Sequence, residues 1–128
     1  MEDFAGYFET TEGFGVLSTA DSEGRPNAAV FSRPHVMEDG IVAFIMPERK
    51  TYANLVENSG AHYLFREKGG GYKGKRLWLT KIREEKDTDL LYELRRREYP
   101  ERNEENNPRH LVFFTVDKLL PLVGAGEE

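Results

Sequence analysis

Two adjacent cations and a hydroxyl, Arg49, Lys50 and Thr51, follow the apolar run Ile41 to Met46, which Pro47 stops. Tyr52, Leu55 and Val56 come next at i, i+3 and i+4 spacing, which predicts a short helix. The free N–H groups and positive dipole end of a helix start favour an anion, and this segment brings two positive side chains to the same place. A phosphate suits such a site. Arg49 offers a planar fork, Lys50 a point charge, and Thr51 both a hydroxyl and a backbone N–H. The same residues admit a plainer reading, in which Thr51 only caps the helix while Arg49 and Lys50 face solvent. Spacing alone leaves both open.

Other chemistry is thinner. The chain has no cysteine, which removes disulfides, thiolate metal sites and cysteine nucleophiles. His35, His62 and His110 are too scattered for a metal-binding spacing, and no serine sits in a nucleophile elbow. A net charge of −5 opposes sequence-blind nucleic-acid binding, which needs a basic field. Lys68-Gly69-Gly70-Gly71-Tyr72-Lys73-Gly74-Lys75 lacks P-loop spacing and reads as a flexible hairpin end or lid. Glu84-Glu85-Lys86-Asp87 and Glu101 to Glu105 read as solvated loop charges. The acidic start Met1-Glu2-Asp3 lacks signal-peptide character, and no stretch nears the roughly 20 apolar residues of a membrane helix, so the expected location is cytoplasmic.

The elements that must position the Arg49 segment are mostly strands. Gly13 to Ala20 reads as the first, and Asp21 to Pro26 turns the chain into a second over Asn27 to Phe31. Ile41 to Met46, after the Glu38-Asp39-Gly40 turn, is apolar throughout and predicts a strand covered on both faces. Ala61 to Phe65 and Arg76 to Ile82 give the fourth and fifth strands, the last of these with clean alternation. Asp87 or Thr88 caps a helix through Leu90, Leu91, Leu94 and Arg97, ended by Pro100. His110 to Val116 is the sixth strand, and the apolar tail Leu119 to Val123 is a candidate dimer element. Strands joined by short turns cannot build a parallel Rossmann sheet. The expectation is one domain over residues 1–128, mainly β: a six-stranded antiparallel barrel with flanking helices.

Strand order and motif together resemble the FMN-binding split-barrel family, which includes pyridoxamine 5'-phosphate oxidases and small bacterial FMN-binding proteins. The resemblance covers most of the chain. It rests on Gly15-Val16-Leu17-Ser18-Thr19-Ala20 leading into Gly24-Arg25-Pro26, on Val30-Phe31-Ser32, and above all on Lys50-Thr51-x-x-Asn54-Leu55. It implies FMN as cofactor, held in a cleft shared by the two subunits of a homodimer. Arg49, Lys50 and Thr51 would meet the phosphate, and Val30, Phe31, Ser32, Ile45 and Met46 would lie beside the ring and ribityl chain. Lys75, with Lys73 and Arg76, would reach the partner's cofactor, and Trp78 would pack near its ring.

With FMN bound, the flavin carries the hydride or electrons and no side chain need act as acid or base, so the resemblance implies an oxidoreductase or electron carrier. The alternative is a non-catalytic module that binds or senses flavin, haem or deazaflavin, with His35 or His110 as a haem ligand. The resemblance departs at Leu122-Val123-Gly124, where the additional C-terminal basic residues of the true oxidases are missing. Pyridoxamine phosphate is therefore not the implied substrate.

Overall fold

The computed structural model describes residues 4–86, 88–98 and 109–124. In chain order they form α1 (Phe4–Thr10), β1 (Gly13–Ala20), β2 (Pro26–Val30), β3 (His35–Val36), a 3₁₀ turn (Glu38–Gly40) and β4 (Val42–Pro47). Then come α2 (Lys50–Glu57), β5 (Gly60–Glu67), β6 (Gly74–Lys86), α3 (Asp89–Glu98) and β7 (Arg109–Pro121). All strands belong to one antiparallel sheet in the order β2-β1-β5-β6-β7-β4-β3. The two ends of that order meet again in space. Phe31, just past β2, and Phe44 of β4 set their rings edge-on at 5.9 Å. The sheet is therefore curled into a barrel rather than laid open.

Alternation decides which side chains fill it. Leu17, Phe44, Met46, Tyr63, Phe65, Leu77, Leu79, Val112 and Phe114 point inward, and Phe8 of α1 and Leu55 of α2 join them. Ala43, Leu111 and Phe113 point to the other face, where Leu91 and Leu94 of α3 cover them. That second layer explains why β4 is apolar at every position: burial on both faces removes the need for a polar side. Thr88 caps α3 as expected, its Oγ1 accepting from the Leu91 N–H at 3.3 Å. Asp87, Pro100 and the 101–108 loop lie outside the described residues.

The expected β-barrel with flanking helices is what forms, with seven strands among the described residues where six were expected. The addition is β3, two residues pairing His35 with Ala43 and Val36 with Val42. Two further corrections concern length. β6 runs on through Glu84, Glu85 and Lys86, which pair with Val112, Leu111 and His110 instead of forming a loop. β7 absorbs most of the apolar tail, since Leu119, Leu120 and Pro121 pair with Leu77, Arg76 and Lys75. The tail is thus largely sheet, and Leu120 is buried within the chain itself. No helix among the described residues is long and apolar enough to cross a membrane.

Candidate functional site

Between the facing ends of the sheet lies a cavity of about 370 Å³, walled by β2 and the residues after it, by β4, and by the start of α2. Its position follows from local sequence. Ala28 and Ala29 in β2 leave space that larger side chains would occupy. Gly15 has a different task. A Cβ there would lie 1.9 Å from the Tyr63 hydroxyl, which reaches past β1 to donate to the Phe31 carbonyl at 3.1 Å. Glycine at this position lets a core tyrosine pin the cavity wall.

α2 is fixed from behind. Asn54, buried, donates through Nδ2 to Thr19 Oγ1 at 3.1 Å, Leu55 enters the core, and Glu57 accepts from the Ser22 N–H at 2.8 Å. The Asn54-Leu55 half of the sequence motif is therefore an anchor, and the Lys50-Thr51 half is what it presents. Arg49 occupies the N-cap with extended backbone and no side-chain cap bond. Thr51 lies inside the first turn, so the reading of Thr51 as N-cap does not hold. The first intrahelical bond runs from the Ala53 N–H to the Arg49 carbonyl at 2.9 Å. That leaves the N–H groups of the preceding turn without a helical acceptor.

The electrostatics point the same way. Arg49 and Lys50 are exposed, and neither has a carboxylate or hydrogen-bond partner for its side chain among the described residues. The acid next to them, Glu48, is turned toward His110 instead, at 2.7 Å.

Of the residues singled out in the sequence, Val30, Phe31, Ser32, Ile45, Arg49, Lys50 and Thr51 all line this cavity. Met46 does not. It is fully buried in the barrel core, on the same side of β4 as Phe44. Lys75 lies at the inner end of β6, with its Nζ 5.0 Å from the Tyr7 ring centroid. Trp78 is on the outer face of the sheet, between Arg76 and Lys118, with His62 edge-on at 4.6 Å. Burial, then the nearby Arg76 charge, lowers the His62 pKa below the ordinary imidazole value. Neither Lys75 nor Trp78 lines the cavity of its own chain.

Arg33 is a lining residue that the sequence reading missed. Its Nη1 donates to the Phe8 and Thr11 carbonyls, both at 2.9 Å, tying the end of α1 to the cavity rim. Nothing in the sequence signals that link, because it depends on where α1 ends. The two candidate haem ligands are also placed. His35 borders a separate hollow beside α1, and His110 is buried against carboxylates and the Tyr52 ring. No histidine lines the cavity.

This architecture is the split barrel of flavin-binding and pyridoxamine 5'-phosphate oxidase-like proteins. An FMN-binding protein from Syntrophomonas wolfei superposes with a TM-score of 0.75 at 21% identity, over 94% of this chain and 84% of that one. An F420 reductase gives 0.73 at 14% identity, over 93% and 98%. The haem storage protein HutZ from Vibrio cholerae gives 0.65 at 14% identity, over 91% and 89%. No protein-family model and no curated protein matches the chain.

Proposed function

We propose that the protein binds FMN in this cavity and works as a flavin-dependent oxidoreductase of the pyridoxamine 5'-phosphate oxidase-like kind. The observation that carries the reading is the pair of exposed cations, Arg49 and Lys50, left without side-chain partners among the described residues at a helix start that opens onto a cavity. Unpaired charge of one sign beside a hollow is a site for the opposite charge. The cavity volume also falls within the range of small-molecule sites, roughly 300–1,000 Å³.

In this reading Arg49, Lys50 and Thr51 hold the phosphate, with Lys50 and Thr51 also giving first-turn N–H groups. Val30, Phe31 and Ser32 run beside the ring, where the Tyr63–Phe31 bond keeps the wall in place. Ile45 closes the opposite side with apolar surface. The flavin supplies hydride or electron transfer when bound, and the chain supplies position and restricted access for water. The cavity lining favours FMN over haem because it offers no histidine ligand.

The same reading includes a homodimer with the cofactor at the subunit interface. Phe14, Val30 and Leu64 expose 55%, 65% and 36% of their surface, and register places Val30, Val16 and Leu64 side by side on the outer face. Val30 both belongs to that apolar face and lines the cavity, so a second subunit on the face would border the cofactor. Trp78, on the same face, is then positioned for the partner's cofactor, whereas Lys75 is turned inward.

Visible absorbance of the purified, FMN-loaded protein, followed by anaerobic addition of NADH or NADPH, tests the reading. Flavin bands near about 370 and 450 nm that bleach with a nicotinamide donor support it. A Soret band, or bound flavin that no nicotinamide or reduced protein donor bleaches, contradicts the oxidoreductase assignment.

A further inference from the structure

Directly behind the Arg49–Thr51 turn, β7 carries a buried histidine. His110 pairs with Met46 of β4 and Lys86 of β6 and is 4% exposed. Its Nε2 is hydrogen-bonded with Glu48 Oε2 at 2.7 Å, and its Nδ1 lies 3.3 Å from Glu84 Oε1 without forming a hydrogen bond. The Tyr52 ring of α2 stacks on the imidazole at 4.0 Å and 18°. The Tyr52 hydroxyl in turn donates to Glu84 Oε2 at 3.0 Å, and Lys81 Nζ stands 3.8 Å from that oxygen. The ring is thus held by the Glu48 bond and the Tyr52 stack, and Tyr52 by its bond to Glu84.

What the imidazole holds is Glu48, the only acid between Met46 and Leu55 and the immediate neighbour of Arg49. A carboxylate on this turn has two kinds of partner within reach of its flexible chain: the cations that follow it, or His110. The structure shows it on His110, and shows Arg49 and Lys50 without a carboxylate among the described residues. An acid released from the histidine would pair with those cations and repel an incoming phosphate.

We propose that His110 is a positioning residue that sequesters the Glu48 carboxylate and so keeps Arg49 and Lys50 available for a phosphate. The inference rests on the reading of that turn as the FMN phosphate site. It makes the sign of each substitution specific. Removing the histidine harms phosphate binding only while a charged Glu48 remains.

The test is a set of FMN and riboflavin titrations by flavin fluorescence. Riboflavin shares the ring and ribityl chain but lacks the phosphate, so the ratio of the two affinities isolates the turn. His110→Asn lowers FMN affinity about tenfold with riboflavin unchanged. Glu48→Gln does not weaken FMN, and Glu48→Gln/His110→Asn recovers wild-type FMN affinity. Glu48→Asp supplies an independent arm at a residue whose side chain is 42% exposed, should His110→Asn fail to fold. It keeps the charge but is too short to reach the histidine, so it weakens FMN where Glu48→Gln does not.

A double variant as weak as His110→Asn alone overturns the proposal, as does equal loss of FMN and riboflavin, or Glu48→Asp matching Glu48→Gln. If the wild type binds FMN and these variants fail to separate, the phosphate site stands and the sequestering role falls. If the wild type binds no FMN, both fall together.

Discussion

Two basic clusters, Arg49-Lys50 and Lys75-Arg76, are hard to rank from sequence, and the fold treats them in opposite ways. Lys75 lies over the Tyr7 ring, while Arg76 donates to the Pro121 and Gly124 carbonyls at 2.9 and 3.0 Å and approaches the Trp78 ring. These cations are engaged by the fold itself and secure the far ends of β6 and β7. Arg49 and Lys50 make no such contacts among the described residues, although they stand beside a cavity. A charge that the fold does not use is the better marker of a site, because nothing internal offsets the cost of gathering like charges there.

The comparison breaks most completely if the cavity wall is lost. Gly15→Ala places a methyl against the Tyr63 hydroxyl and drives it off the Phe31 carbonyl. Overpacking of this kind costs about 1–3 kcal/mol, and chemical denaturation should show a drop of that size together with loss of flavin binding. A stability unchanged from wild type would mean that the wall does not depend on this contact.

A smaller effect separates the clusters directly. Arg49→Ala should weaken FMN about tenfold, on the order of 1.4 kcal/mol, and leave riboflavin within twofold when both are titrated by fluorescence. Arg76→Ala should do the reverse. It should leave the FMN-to-riboflavin ratio unchanged and destabilise the chain by about 1 kcal/mol in denaturant, through the lost bonds to the end of β7.

The smallest effect concerns a third cation, Arg25, which the β1–β2 turn uses fully. Asp21 accepts from the Arg25 N–H, the Glu23 N–H and the Arg25 side chain. The Arg25 N–H is the largest cause of an Asp21 pKa below the ordinary carboxylate value, partly opposed by burial. The unfolded chain therefore takes up this proton first as pH falls. Stability from Asp21 is present above the ordinary carboxylate range and is lost as pH drops through and below it. Asp21→Asn should flatten that part of the acid-unfolding profile, read by circular dichroism.

Much of this was legible because it is local. The bounds of β1 followed from strand-forming residue types and a turn-forming string, and the apolar run of β4 announced two-sided burial. The cavity residues Arg49 to Thr51 came from a contiguous motif, and Val30 to Ser32 from the family resemblance that such motifs carry.

What was missed depends on distant partners. α1 enters the core through Phe8, whose edge-on ring partner Phe65 is far along the chain. The charged end of β6 becomes strand only because β7 pairs with it. The pairing of Glu48 with His110 likewise joins separate elements. Met46 and Lys75 illustrate the limit of reading side-chain direction from sequence. Met46 is sealed in the barrel core, so it does not reach the cavity that Phe44 and Ile45 line, and Lys75 falls on the face opposite Arg76, where it meets the Tyr7 ring.

The central claim is that the turn before α2 binds a phosphate, and paired titrations of FMN and riboflavin into wild type and Lys50→Ala/Thr51→Ala test it most directly. The account predicts that the double variant loses about a hundredfold in FMN affinity, roughly 2.7 kcal/mol, while riboflavin affinity stays the same. Equal FMN affinity in the two proteins would contradict it, and would leave Arg49 and Lys50 as solvated charges at the start of a helix.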